Sequence, residues 1–236
     1  MFQIRKSSER GRSEFGWLSS RHSFSFGSYS DPMHTDFGPL RVINEDRVQP
    51  GKGFGTHAHA DMEIISYVLE GTAAHRDSTG TEERIHYGDV QRMTAGTGVE
   101  HSEFNPSGDI ALHFLQIWIR PDRRGLRPGY EARHFSSESK RGRLCLIASN
   151  DARYGSLLVH QDVSVYASIL GEGQRAMHGL APGRIAYVHV VRGRLLANGQ
   201  MLESGDALKL VEEDAVVLNG SQEAEFLLFD LPARRE

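Results

Sequence analysis

The chain has 236 residues, 27 Lys and Arg against 31 Asp and Glu, and a formal net charge of −4. With 39% hydrophobic and 25% charged residues it has the balance of a folded chain with a sizeable core, not of a disordered one. The mild acidity excludes a general nucleic-acid binder, and the single cysteine, Cys145, excludes an intrachain disulfide or a cysteine-based metal site.

The opening residues MFQIRKSSER have no apolar core, so neither a secretory signal nor an anchor is expected and the location is read as cytoplasmic. Short apolar segments then recur between glycines, of which there are 25. Leu40–Asn44, Glu63–Leu69, Ile110–Ile119, Ile185–Val191 and Phe226–Leu231 read as strands. Turn signals stand between them at Ser78-Thr79-Gly80, Asn198-Gly199 and Ser204-Gly205-Asp206. Ile110–Ile119 contains His113 and Gln116 and is too short to span a bilayer, so no membrane partner is expected. Many short strands with few helical patterns predict an all-β chain built as a sandwich or barrel.

An internal echo predicts two such units. Tyr67-Val68-Leu69-Glu70-Gly71 is followed by Gly88-Asp89-Val90, and His189-Val190-Val191-Arg192-Gly193 by Gly205-Asp206-Ala207. Each copy reads as strand, turn glycine, hairpin, and a Gly-Asp turn into the next strand. The polar stretch Phe135–Arg143 reads as their connection, giving domains over 1–134 and 135–236.

The chemistry gathers in the first half. His57 and His59 are two apart on an extended segment and therefore share a face, and His101 and Glu103 have the same relation. Two such pairs on neighbouring strands supply three imidazoles and a carboxylate, a set suited to a divalent transition metal with positions left open. A lone His-x-His among 12 histidines is commonly coincidence; two pairs, each flanked by turn glycines, are harder to dismiss. His75, His86, His134 and His160 carry no motif and read as surface residues. Asn105 reads as tying down the turn after His101, and Cys145 as a small buried hydrophobe.

The run Gly51, His57, His59, Glu63, Gly71 resembles the first cupin motif, and Gly88, Gly96, Gly98, His101, Asn105 the second. Glu63 falls one residue before the usual cupin glutamate position, where Ile64 stands, and two extra residues separate Gly88 from Gly96-Thr97-Gly98. These departures, with His101-Ser102-Glu103, resemble the pirin family, as do Gly16-Trp17-Leu18, His22-Ser23-Phe24-Ser25-Phe26, Phe54-Gly55-Thr56-His57 and Gln116-Ile117-Trp118-Ile119. The resemblance is closest to bacterial pirin-like quercetin 2,3-dioxygenases. It implies a bicupin of two facing β-barrels, with one metal in the N-terminal barrel held by His57, His59, His101 and Glu103, and no metal ligands in the C-terminal one. The metal is Fe, Ni, Co, Cu, Mn or Zn.

The activity so implied is cleavage of a flavonol by dioxygen, with the substrate bound through a deprotonated hydroxyl and Glu103 as catalytic base. Glu63, His22 and His113 are candidates for the surroundings of the site. Two other readings stay open: a non-enzymatic, metal-dependent regulatory protein with a protein partner, as eukaryotic relatives of pirin imply, and a cupin acting on another small oxygenated substrate. No assembly signal is present, so a monomer is expected. Setting Gly71 on Gly193 and Gly88 on Gly205 places Gly179 and Ala181 where His57 and His59 stand, and Leu218 and Gly220 where His101 and Glu103 stand. That overlay predicts one metal per chain.

Overall fold

The computed structural model describes residues 1–233. In chain order the strands are β1 (Phe2–Arg5), β2 (Gly11–Glu14), β3 (Leu18–His22), β4 (Leu40–Val48), β5 (Gly53–His59), β6 (Glu63–Glu70), β7 (Thr72–Asp77), β8 (Glu82–His86), β9 (Asp89–Thr94), β10 (Val99–Phe104), β11 (Leu112–Ile119) and β12 (Gly129–His134). After a one-turn helix, α1 (Ser137–Lys140), come β13 (Cys145–Ser149), β14 (Leu157–Leu158), β15 (Ser164–Leu170), β16 (Arg175–Gly179), β17 (Arg184–Arg192), β18 (Arg194–Ala197), β19 (Gln200–Glu203), β20 (Ala207–Leu210), β21 (Ala215–Gly220) and β22 (Ala224–Pro232). Among the described residues no helix is long and apolar enough to cross a membrane.

The chain divides into two compact units. One comprises Gly11–His134 with Leu157–Gln161, and the other Met1–Arg10, Phe135–Ser156 and the chain from Asp162 onward. The first unit has a seven-stranded sheet in the order β12-β9-β6-β11-β4-β3-β2 and a four-stranded sheet in the order β5-β10-β7-β8. In the second unit, β1-β20-β17-β22-β15-β13 run side by side, and β16-β21-β18-β19 form the smaller sheet. Strand for strand the two units repeat one jelly-roll plan, with β6 answering to β17, β9 to β20 and β11 to β22.

The repeated hairpin explains the echoed glycines. Gly71 (φ +77°) and Gly193 (φ +78°) each turn the chain in the left-handed region. A side chain on Gly71 would meet the Ala111 carbonyl at 2.6 Å, and one on Gly193 would meet the Glu223 carbonyl, so both positions exclude any larger residue. Asn198 (φ 43°) and Gly199 (φ 78°) form the two-residue hairpin turn that their dipeptide predicts.

Alternation sets what faces inward. Along β10, Val99, His101 and Glu103 are buried while Glu100 and Phe104 are exposed; along β7, Ala73, His75 and Asp77 are buried. The first unit's core includes Leu18, Val48, Val68, Ile85, Leu112 and Phe114. Beside that apolar layer lies a polar row spanning five strands in register: His22 opposite Asn44, Asn44 opposite Gln116, Gln116 opposite Ser66 and Ser66 opposite Gln91. All five are buried.

The stretch Phe135–Arg143, read from its polarity as the connection between the halves, carries structure of its own. Ser136 caps α1 by accepting from the Ser139 backbone N–H at 3.1 Å, and Lys140 is fully buried against Glu225 at 3.1 Å. Polarity misleads here because the charge finds its partner 85 residues away.

Candidate metal centre

β5 and β10 pair so that His57 lies opposite His101 and His59 opposite Val99. The register slips between His101 and Glu103, which leaves an extra residue on β5 and re-aims its side chains. The three imidazoles converge as a result. Ring centroids are 4.5 Å apart for His57 and His101, 4.8 Å for His57 and His59, and 5.0 Å for His59 and His101. One nitrogen from each lies within 4.8 Å of the others.

The protonation chemistry suits a cation. His57 donates from Nδ1 to the Gly55 carbonyl at 2.8 Å, which leaves Nε2 with a free lone pair. Burial and the neighbouring His57 push His59 down to about 4. Burial, with His57, His59 and His75 close by, pushes His101 down to about 3. Both are therefore neutral at pH 7, the state in which imidazole ligates. Both ring nitrogens of His101 are buried without a hydrogen-bond partner. Such an arrangement costs about 1–3 kcal/mol per group unless something else satisfies it, and a metal ion would satisfy the nitrogen that carries the lone pair. The donor set fits one divalent transition metal.

Glu103 is buried beside these rings. Its Oε1 accepts from Gln91 Nε2 at 3.0 Å and Ser66 Oγ at 3.2 Å, and its Oε2 accepts from Gln116 Nε2 at 2.7 Å. The amides are themselves oriented. Trp118 Nε1 donates to Gln116 Oε1 at 3.2 Å, and Tyr130 Oη donates to Gln91 Oε1 at 2.9 Å. An indole can only donate, so the Gln116 NH₂ is forced toward Glu103. Burial raises the Glu103 carboxyl above its ordinary range, while the side-chain donors and the nearby histidines pull the other way.

His57, His59 and Glu103 open onto a cavity of about 470 Å³, with His101 buried behind them. Phe15, Trp17, Phe26, Phe54 and Trp118 form its apolar walls, and His57, His59, Glu103 and Gln116 line it too. Trp118 stands edge-on to His59 at 4.9 Å and to Phe26 at 5.4 Å.

The remaining residues singled out from sequence fall in different places. His22 lines the cavity, held between Ser13 at 2.8 Å and Asn44 at 2.8 Å. His113 is bonded to Glu45 at 3.0 Å and is absent from the cavity wall. Glu63 accepts from Thr94 Oγ1 at 3.1 Å and lies 3.4 Å from His160, again away from the cavity. Asn105 donates to the Val48 and Ile110 carbonyls and accepts from the Ser107 N–H, fastening the turn after β10.

His75 overturns its reading as a surface residue. It is 1% exposed, lies opposite Glu103 on β7, and shares a second close donor group with His101 and Glu103. The available signal was His75-Arg76-Asp77, the same two-residue spacing as the other pairs.

The second unit has no equivalent centre among the described residues. Leu218 has Ala176 on one side and Ala197 on the other, just as His101 has His57 and Asp77. Strand pairing thus equates His57 with Ala176 and His59 with His178, correcting the Gly179 and Ala181 of the sequence overlay; Leu218 and Gly220 stand as overlaid. Leu195, Ala197 and Leu218 are fully buried members of an apolar core, and His178 is bonded to Asp230 at 2.7 Å. Hydrocarbon stands in place of His57 and His101, and the one imidazole left, His178, is engaged by Asp230.

The Pirin family profile matches residues 3–119, and that of the quercetinase C-terminal cupin domain matches residues 146–231. A quercetin 2,3-dioxygenase of Escherichia coli (strain K12) is 46% identical over 232 residues, covering 98% of this chain and 99% of that protein. The chain belongs to the pirin family. Among solved pirins and their neighbours, YhhW from Escherichia coli superposes with a TM-score of 0.96 at 44% identity, covering 100% of both chains. The bacterial pirin YhhW in complex with nickel(II) gives 0.95 at 45%, covering 99% of this chain and 100% of that one.

Proposed function

We propose that this pirin is a metal-dependent dioxygenase that cleaves flavonols such as quercetin, with His57, His59, His101 and Glu103 holding one divalent transition metal. The observation that carries the reading is the convergence of three imidazoles at an aromatic cavity, beside a buried carboxylate anchored by three donors. The relatives named above supply the substrate class, and the cavity of about 470 Å³ is of the size that takes a small molecule.

When bound, the ion supplies Lewis-acid polarisation of a substrate oxygen and open coordination positions. The chain does the rest. Trp17, Phe26, Phe54 and Trp118 offer flat apolar surfaces to a planar polyphenol. A carboxylate has about four acceptor sites, so Glu103, with three taken, keeps one, which would hold the metal at rest and take the proton of the flavonol 3-hydroxyl once Glu103 leaves the ion. Burial makes Glu103 a stronger base than a surface carboxylate. Gln116 and Gln91 hold it in place while it accepts. The deprotonated flavonol is electron-rich and reacts with dioxygen; opening of the central ring releases carbon monoxide and leaves a depside. All atoms of substrate and dioxygen appear in those two products.

The test follows quercetin absorbance in air with metal-stripped protein and with protein reloaded with one ion at a time. Bleaching restored by metal supports the reading. Bleaching that is equal with and without metal would overturn it.

A further inference from the structure

The residue with the least obvious purpose is His75. Its Nε2 donates to Asp77 Oδ2 at 3.0 Å. Asp77 is immobile, since its Oδ1 also accepts from the Thr79 N–H at 2.8 Å, Thr79 Oγ1 at 2.6 Å and the Thr81 N–H at 3.2 Å. These bonds, with burial opposing them, hold the Asp77 carboxyl down to about 2. The Nδ1 of His75 is buried with no hydrogen-bond partner. The ring lies stacked on Tyr130, centroids 4.7 Å apart, and 5.4 Å from the ring of His101.

A carboxylate fixing one imidazole nitrogen so that the other presents its lone pair is how proteins orient histidine for a metal. Donor atoms of His75, His101 and Glu103 all lie within 4.8 Å of one another, and all three residues are buried. A separate hollow of about 470 Å³, lined by Ala74, His75, Glu82, Glu83, Ser102 and Phe104 among others, reaches His75 without sharing any wall with the aromatic cavity. Its charged rim is balanced, with Arg76 and Arg84 against Glu82 and Glu83 and Arg76 paired to Glu82 at 2.9 Å.

We propose that His75 is a metal donor, and that with His101 and Glu103 it forms an inner position for a divalent cation, distinct from the outer position where His57, His59 and His101 would hold it together with Glu103. Because both sets draw on His101, they hold one ion between them. An ion in the inner set is withdrawn from the three-histidine wall, so the two positions divide the metal between a form exposed to substrate and a sheltered one. The inference rests on the metal reading above and is separable from it.

Cobalt(II), followed by visible absorption and elemental analysis, is titrated into three metal-stripped proteins: wild type, the His57→Ala/His59→Ala variant, and that variant with His75→Phe added. Circular dichroism verifies that each is folded, and His75→Gln replaces His75→Phe if the latter is not. The expected result is one ion per chain in wild type, one retained with a changed spectrum in the double variant, and none after His75 is replaced. Asp77→Asn in the double variant should weaken binding about 10–100-fold. If the double variant holds no cobalt while wild type holds one, or if it holds cobalt regardless of His75, the inner position is refuted and the metal reading stands. If wild type itself binds none, both fall.

Discussion

Replacing Gln116 by Leu removes two hydrogen bonds at once. One is the 2.7 Å bond to Glu103 Oε2, the shortest of the three that reach that carboxylate, and the other is the 3.2 Å bond accepted from the Trp118 indole. A hydrogen bond to a charged group contributes about 1.5–3 kcal/mol and a neutral one about 0.5–1.5 kcal/mol. Gln116 is 8% exposed, so water compensates little. Metal-free Gln116→Leu protein should therefore be less stable by about 2–4 kcal/mol. The Glu103 share is isolated by a double-mutant cycle with Glu103→Leu, measured by urea unfolding at pH 8, where the coupling should be about 1.5–3 kcal/mol. Turnover of the metal-loaded single variant should also drop, because the base is held by two donors instead of three. A coupling below about 0.5 kcal/mol, within ordinary additivity error, would refute the claim that Gln116 secures an ionised Glu103.

Four further outcomes are expected. Glu103→Gln should lower quercetin turnover about 10²–10⁴-fold, the usual contribution of a general base, while keeping a near-native fold by circular dichroism. His57→Ala should weaken metal binding at the outer set, seen as a right-shifted cobalt(II) titration. His59 and His101 have folded-state values near 4 and 3 against 6.5 unfolded, so the unfolded chain takes up protons first. The stability of metal-free protein should accordingly decline as pH falls below about 6.5 and keep declining toward pH 4, with a shallower decline in His101→Phe. Lys140→Met removes the cation that meets Glu225 at 3.1 Å and leaves Arg192 at 3.9 Å; unfolding should cost about 1.5–3 kcal/mol less, with turnover per folded molecule unchanged.

The legible part of this protein was its periodicity. Inward alternation on β10 follows from Val99, His101 and Glu103 alone, and the hairpin glycines Gly71 and Gly193 mark equivalent corners because carbonyls crowd them. Two repeated β units and the shared faces of His57 with His59 and of His101 with Glu103 were readable from those signals, while the jelly-roll plan came from the resemblance to pirins. What stayed hidden depends on partners distant in sequence. Gln116 looks like an interruption of an apolar strand until Glu103 and Trp118 are placed on either side of it. His75 looks like a surface residue until β7 is paired with β10. Lys140 in a charged stretch gives no hint of Glu225. The offset of His57 and His59 in the sequence overlay has another origin, since the chain from His178 to Gly193 is longer than the chain from His59 to Gly71 that it answers to.

The activity proposed for the His57, His59, His101 and Glu103 centre is cleavage of a flavonol by dioxygen. Its most direct test measures quercetin lost and carbon monoxide released together, per bound metal ion, in wild-type and Glu103→Gln protein. The wild type should release one carbon monoxide for each quercetin it consumes, in proportion to its metal content, and the variant should consume and release little. Quercetin loss without carbon monoxide, or an undiminished rate in the variant, would contradict it.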